Sequence, residues 1–235
     1  RAPLNVNKVS LYELPLIPTN AEIVARMKAA ITPQTRVIIS TWVHSSTGVK
    51  LPIGAIGGMI KDVNTQRPAD AQILFVVDGV HGFGIETDSF ADLNCDFFIS
   101  GTHKWLSGPR GTGMVVGTPR AWKKLARPAH PDNQRNTTPG RMYAWNGYFA
   151  YEHRFAVVEA MDLQVALGRT RIRDHVHDLC RTLKVALSKM NHIQLHTPID
   201  SEQSAGIICF DVKGMKPADF VEAMAKKNIV ASATP

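Results

Sequence analysis

Two short stretches hold groups that could do chemistry together. They are Asp78-Gly79-Val80-His81 and, later in the chain, Gly101-Thr102-His103-Lys104-Trp105-Leu106. Asp78 follows the apolar run Phe75-Val76-Val77, which predicts a buried carboxylate at a strand end. Such a group pays a desolvation cost unless a cation or a hydrogen-bond donor meets it. An Asp before a Gly also starts turns and caps short helices, and that reading stands beside the first. Lys104 is flanked by Phe97-Phe98-Ile99 and Trp105-Leu106, with Gly108, Gly111 and Gly113 beyond. Partial burial there would depress its pKa and free a neutral amine for Schiff-base chemistry, whereas a solvated lysine would stay a charged surface group. His103 reads either as a core histidine or as an anion ligand.

The elements that must position these groups follow from periodicity and caps. Val9 to Leu16 predicts a short strand before Pro18, and Thr19-Asn20-Ala21-Glu22 is a capping box opening a helix to about Ala30. The β-branched run Val37-Ile38-Ile39-Ser40-Thr41 predicts a strand. It leads into the polar turn Val43-His44-Ser45-Ser46-Thr47-Gly48. Pro52 opens a second helix to about Gln66. Ile73 to Val77 is apolar on both faces, which predicts an interior parallel strand.

Two more strands are predicted over Asp96 to Ser100 and Gly113 to Gly117, and Arg127 to Trp145 reads as a long Pro-rich loop. Tyr148 to Met190 predicts two helices meeting between Gly168 and Arg171. Strands over Ile193 to Leu195, Gly206 to Phe210 and Ile229 to Ala231, with a helix from Lys216 to Lys227, predict a small α+β unit. The expected fold class is α/β, a mostly parallel sheet sandwiched by helices plus a partial small α+β C-terminal domain. The expected organisation is a large domain over 1–150, connecting helices over 151–190 and the partial small domain over 191–235. In such a sheet ligands bind outside the carboxyl ends of the strands, where Asp78 and Lys104 fall.

Bulk properties narrow the function classes. The 235 residues are 44% hydrophobic and 20% charged, which predicts a globular chain. The formal charge of +7 is spread without a run of five basic residues, so no nucleic-acid partner is expected. No apolar stretch approaches the roughly 20 residues of a membrane span, and no membrane partner is expected. Cys95, Cys180 and Cys209 form no CxxC pair, arguing against a disulfide scaffold or zinc knuckle, and the histidines include no HExxH, so no metal site is expected. Gly111-Thr112-Gly113 leads into a strand rather than out of one, so neither a dinucleotide fingerprint nor a P-loop is satisfied. Arg1 replaces an initiator Met, and residues are expected to be missing at both ends.

Taken in order, Ser45-Ser46-Thr47-Gly48, Leu51-Pro52-Ile53, Asp78-Gly79-Val80-His81, His103-Lys104-Trp105-Leu106 and Gly108-Pro109-Arg110-Gly111 resemble the class V aminotransferase family of pyridoxal-5′-phosphate (PLP) enzymes. The likeness runs over the whole chain and is greatest to isopenicillin-N-epimerase-like proteins and C–S lyases. The resemblance implies that 1–150 is a PLP-binding large domain lacking its N-terminal part. It implies that Lys104 carries the internal aldimine and then moves the proton at the substrate α-carbon, that Asp78 faces the pyridine nitrogen, and that His81 lies near the phenolic oxygen. Ser45 replaces the Asn that many members place at a similar contact. His103 matches a phosphate ligand, and the hydroxyl donor beside it is shifted in register, leaving Thr102 and Ser100 as candidates.

The resemblance also implies an amino-acid substrate and a homodimer with sites at the subunit interface. The other phosphate loop and the ring-stacking residue would lie before Arg1, and the substrate-carboxylate arginine after Pro235. Desulfurase activity needs a reactive cysteine on a mobile late loop. Cys180 is expected on a helix and Cys209 in a strand, so that branch requires a cysteine beyond Pro235. A catalytically silent scaffold that keeps the fold is the alternative from another class. Cytoplasm is the default compartment, with the periplasm open if an export signal preceded Arg1.

Overall fold

The computed structural model describes residues 5–14, 16–125 and 150–233. The chain divides into two compact units that alternate in sequence. The first comprises Arg1–Ile31, Val43–Pro52 and Arg173–Pro235, the second Thr32–Trp42 and Ile53–Ile172. The loop expected over Arg127 to Trp145 lies outside the described residues.

The second unit is built on a four-stranded sheet of β1 (Val37–Thr41), β2 (Leu74–Asp78), β3 (Phe97–Gly101) and β4 (Gly113–Gly117), in the order β1-β2-β3-β4. β1, β2 and β3 are parallel and β4 returns antiparallel to β3. β2 therefore lies inside the sheet, as its apolar run predicts. Register joins Thr41 to Asp78 and Asp78 to Ile99, which aligns the carboxyl ends of the three parallel strands. α2 (Ile53–Thr65) crosses from β1 to β2 and buries Ile53, Ile56, Met59 and Ile60. Its Asn64 is 7% exposed and caps the entry to β2, accepting from the Ile73 amide at 2.7 Å and donating to the Ile73 carbonyl at 2.9 Å.

Alternate strand positions differ sharply in exposure. Ile38, Phe75, Val77 and Phe98 are buried, whereas Val37, Ile39, Ile99 and Val115 are exposed. The mostly parallel sheet with its connecting helices is the expected α/β architecture. After β4, α3 (Pro119–Lys124) starts on a Thr118 cap. α4 (Tyr151–Leu167) buries only Ala160 and Gln164. α5 (Arg169–Ser188) follows directly after Gly168.

In the first unit, α1 (Asn20–Ala29) begins on the predicted capping box. The Glu22 amide donates to Thr19 Oγ1 at 3.3 Å and the Thr19 amide to Glu22 Oε2 at 2.8 Å. β5 (Ile193–Leu195) and β6 (Phe210–Val212) form an antiparallel pair, followed by α6 (Pro217–Ala225). Three expected strands differ. Among the described residues, Val9 to Leu16 contributes only an isolated bridge between Glu13 and Leu16. Residues 206–209 precede β6, because the Cys209 carbonyl accepts from both the His196 and Thr197 amides and breaks the regular ladder. Ile229 to Ala231 is not a strand, and Val230 is 98% exposed. No helix among the described residues is long and apolar enough to cross a membrane.

Lys184 on α5 is 2% exposed. Its Nζ donates to the Pro198 carbonyl at 2.8 Å and to Ser204 Oγ at 2.5 Å, and Ser204 Oγ donates onward to the Asp200 carbonyl at 2.6 Å. This tether ties α5 to the segment between β5 and β6.

Candidate active site

The last residue of β2 is Asp78. Its carbonyl accepts from the Trp42 amide at 2.8 Å, and the next amide, Gly79, donates to the Ile99 carbonyl at 2.8 Å, so both neighbouring strand ends are pinned to this point. A Cβ at Gly79 would lie 2.1 Å from the Phe98 ring, so no larger residue can follow Asp78 here. The chain then turns through Gly82 and Phe83, whose amides donate to the Gly79 carbonyl at 3.0 and 2.8 Å.

The Asp78 carboxylate is exposed, not buried as the apolar run before it predicts. At the strand's mouth it has left the packed interior, and its Oδ1 accepts from the Val80 amide at 3.1 Å, the Asx turn of the simpler reading. Lys104 and His103 are likewise exposed, so of the two readings of Lys104 the solvated one holds. Both sit on the polar turn that leaves β3, beyond its apolar strand residues.

His81 is half-buried and is the group most perturbed by this setting. Burial pushes its imidazole below the ordinary histidine range, the Lys104 ammonium pushes it further down, and the Asp78 carboxylate partly opposes both. His81 Nδ1 is buried with no hydrogen-bond partner. A Cβ placed on Gly101 would be 2.9 Å from the His103 ring and 3.7 Å from Val80, which brings the two motifs together around the end of β3. Asp78, His81, His103 and Lys104 thus share the carboxyl edge of β2 and β3.

The hydroxyl candidates are placed differently. Ser100 is 3% exposed and its Oγ donates to the Gly101 carbonyl at 2.9 Å. Thr102 is 1% exposed and its hydroxyl bonds to that of Thr112, bracing the loop between β3 and β4. That loop is closed further by the Thr102 amide on the Thr112 carbonyl at 3.2 Å and the Gly108 amide on the Thr102 carbonyl at 2.8 Å.

Ser45 belongs to the first unit. Its carbonyl accepts from Cys209 Sγ at 3.8 Å, and the neighbouring Thr47 carbonyl accepts from Thr197 Oγ1 at 2.6 Å. Tyr12 bonds to Thr47 Oγ1 at 3.0 Å and stacks edge-on with His44. Cys209 thus lies before β6 and not within a strand, yet burial raises its thiol against the opposing pull of Thr197, the wrong direction for a nucleophile. Burial likewise raises Cys180, and pushes Cys95 up to about 11. Tyr12, Thr197 and Gln164, none of them singled out by the sequence, enter through contacts across long stretches of chain.

A cavity of about 450 Å³ lies toward the other end of β2, lined by residues that include Ile60, Phe75, Phe90, Cys95, Asp96 and Arg120; it contains none of the candidate residues. Among the described residues no group of three or more His, Cys, Asp or Glu could hold a metal ion.

Residues 5–233 match the family described as aminotransferase class-V. Isopenicillin N epimerase of Amycolatopsis lactamdurans is 28% identical over 218 residues, covering 86% of this chain and 53% of the relative. A probable cysteine desulfurase of Vibrio cholerae is 22% identical over 234 residues, covering 95% of this chain and 54% of the relative. The cystine C-S lyase C-DES, solved in complex with its reaction product cysteine persulfide, superposes with a TM-score of 0.74 at 19% identity over 90% of this chain and 57% of that one. The apo cysteine desulfurase of Thermococcus onnurineus NA1 gives a TM-score of 0.74 at 19% identity over 90% of this chain and 51% of that one. The chain spans about half the length of the curated relatives it matches, and the structural likeness is one of fold.

Proposed function

We propose that this chain, which belongs to the class-V aminotransferase family, is the cofactor-bearing part of a PLP-dependent enzyme acting on an amino acid or an amino-acid-like amine. The reaction is epimerisation, amino transfer or C–S bond cleavage, and relatives named as epimerase and desulfurase support the first and last. The observation that carries the reading is the meeting of one amine, one carboxylate and one half-buried imidazole at the carboxyl edge of β2 and β3.

The residues fit the cofactor's chemistry. The orphaned His81 Nδ1 lacks the partner that a ring oxygen or hydroxyl would provide. An exposed Asp78 carboxylate matches a protonated ring nitrogen, and an exposed Lys104 amine can reach an aldehyde. When bound, the cofactor supplies an electron-accepting ring that spreads negative charge from the substrate α-carbon.

Lys104 Nζ is the amine that would hold the cofactor's aldehyde carbon, and when free it would take or return the proton at the substrate α-carbon. Asp78, by its negative charge, would keep the ring nitrogen protonated. His81 would serve the phenolic oxygen, and His103 would contribute to holding the phosphate. Ser45, Thr102 and Ser100 complete the candidate set, the last two as candidate hydroxyl donors to the phosphate; Thr102 also braces the loop that carries Lys104 through Thr112. A homodimer and a small amino-acid substrate belong to the same reading.

Borohydride reduction of the full-length protein incubated with PLP, followed by peptide mapping, tests it. A stable adduct on Lys104 that disappears in Lys104→Ala is expected. An undiminished adduct in that variant would sink the lysine assignment.

A further inference from the structure

α4 presents an inverted pattern of burial. Tyr151, Phe155, Val158, Leu163 and Val165 are exposed by half or more, yet the polar Gln164 is 8% exposed. A helix normally hides its apolar side chains and leaves its amides in water. Here the buried amide has a specific partner. Gln164 Nε2 donates to the Trp105 carbonyl at 2.9 Å, across 59 residues of chain, while its Oε1 is buried with no partner. An amide kept inside at that expense is held for one bond.

That bond falls on the Trp105–Leu106 peptide, one residue beyond Lys104. The turn is closed by the Ser107 amide on the Lys104 carbonyl at 3.0 Å, and Ser107 adopts a φ of 63°, a conformation that needs support from its surroundings. Gly84 grips the same peptide. At a φ of 92°, a Cβ there would lie 2.5 Å from the Leu106 amide nitrogen and 2.7 Å from the Trp105 carbonyl carbon. Leu106 itself is 4% exposed. The Trp105–Leu106 peptide is thus gripped by backbone at Gly84 and by a side-chain amide at Gln164, while the Lys104 side chain stays exposed.

We infer that Gln164 is a positioning residue: it fixes the turn following Lys104 and so fixes where the lysine amine is presented. Its value for cofactor attachment rests on the function proposed above. The clamp on the turn does not.

Two readouts on the full-length protein separate the two. The first is amide hydrogen exchange over residues 104–108, and the second is the initial rate at which PLP forms a borohydride-trapped adduct on Lys104. In Gln164→Leu, loss of the donor speeds exchange at the turn about tenfold relative to the sheet and slows adduct formation by a similar factor. In Gln164→Glu, the neutral acid can donate to the Trp105 carbonyl and the carboxylate cannot. Both effects, each taken relative to wild type at the same pH, therefore grow as pH rises through the titration of the new side chain.

Unchanged exchange at the turn, or an unchanged adduct rate in a loosened turn, overturns the inference. So does exchange that rises throughout the sheet as much as at the turn. A loosened turn in a protein whose wild type forms no Lys104 adduct would end the cofactor reading and leave the clamp supported.

Discussion

The carboxylate of Asp96 receives the Arg120 guanidinium at 2.6 Å on both oxygens and the Phe75 amide at 2.9 Å, near the opposite end of β2 from Asp78. One acidic residue thus fastens the amino end of the central strand, and another marks its carboxyl end. Arg120 also donates to the Ile73 carbonyl at 3.2 Å. Asp96→Ala leaves a strand amide and a guanidinium without their acceptor and is expected to cost about 2–4 kcal/mol. Urea unfolding measures it, and Arg120→Ala, whose side chain is partly solvated, should cost less.

The His81 imidazole offers a direct test of the arrangement at the other end. Its titration, followed by NMR, should have a midpoint below 6.5. Lys104→Ala removes a cation and should move the midpoint up; Asp78→Asn removes an anion and should move it down. Because the folded protein binds this proton less readily than the unfolded chain, stability rises with pH between the folded midpoint and 6.5, and is lost as pH falls through that window.

Asp78→Asn should retain some PLP, since Lys104 remains, and lose most turnover with an amino-acid substrate. Absorbance of bound cofactor and steady-state rates read the two effects separately. Wild-type turnover in that variant would show that charge at the ring nitrogen is unimportant.

Lys184 gives a second pH signature. Burial pushes its ammonium below the ordinary lysine value of 10.5; Lys50 adds to the depression, and Cys180 and Asp200 oppose it. Two acceptors, the Pro198 carbonyl and Ser204 Oγ, match the two N–H groups of a neutral amine and leave a third unmet when it is charged. The unfolded chain binds the proton more tightly, so stability should climb between the depressed folded value and 10.5. Lys184→Met should flatten that slope in unfolding series at increasing pH.

Local signals in the chain read well. The Thr19 capping box, the β-branched Val37 run and the apolar Ile73 run each specify an element through neighbours a few residues apart, and each element is present. The carboxyl-edge placement of Asp78 and Lys104 followed from that strand order. What escaped depends on distant partners. Nothing near Gln164 announces a bond to Trp105, and nothing near Asp96 announces Arg120. Apolarity alone overstated burial at Asp78, and it predicted strands at Val9 to Leu16 and Ile229 to Ala231, where no regular ladder forms among the described residues. A strand needs a neighbour as well as a composition.

The parallel register of β1, β2 and β3 also has a kinetic meaning. Val37 meets Leu74, and Val76 meets Phe97, only after a helical crossover or a long connection has folded back. Such nonlocal pairings form slowly, because the chain loses loop entropy before any contact compensates. Asp78, His81 and Lys104 become neighbours only when the last of these pairings closes. The chemistry of the edge is therefore a product of late folding, and a refolding chain should regain helix signal well before Lys104 can capture PLP.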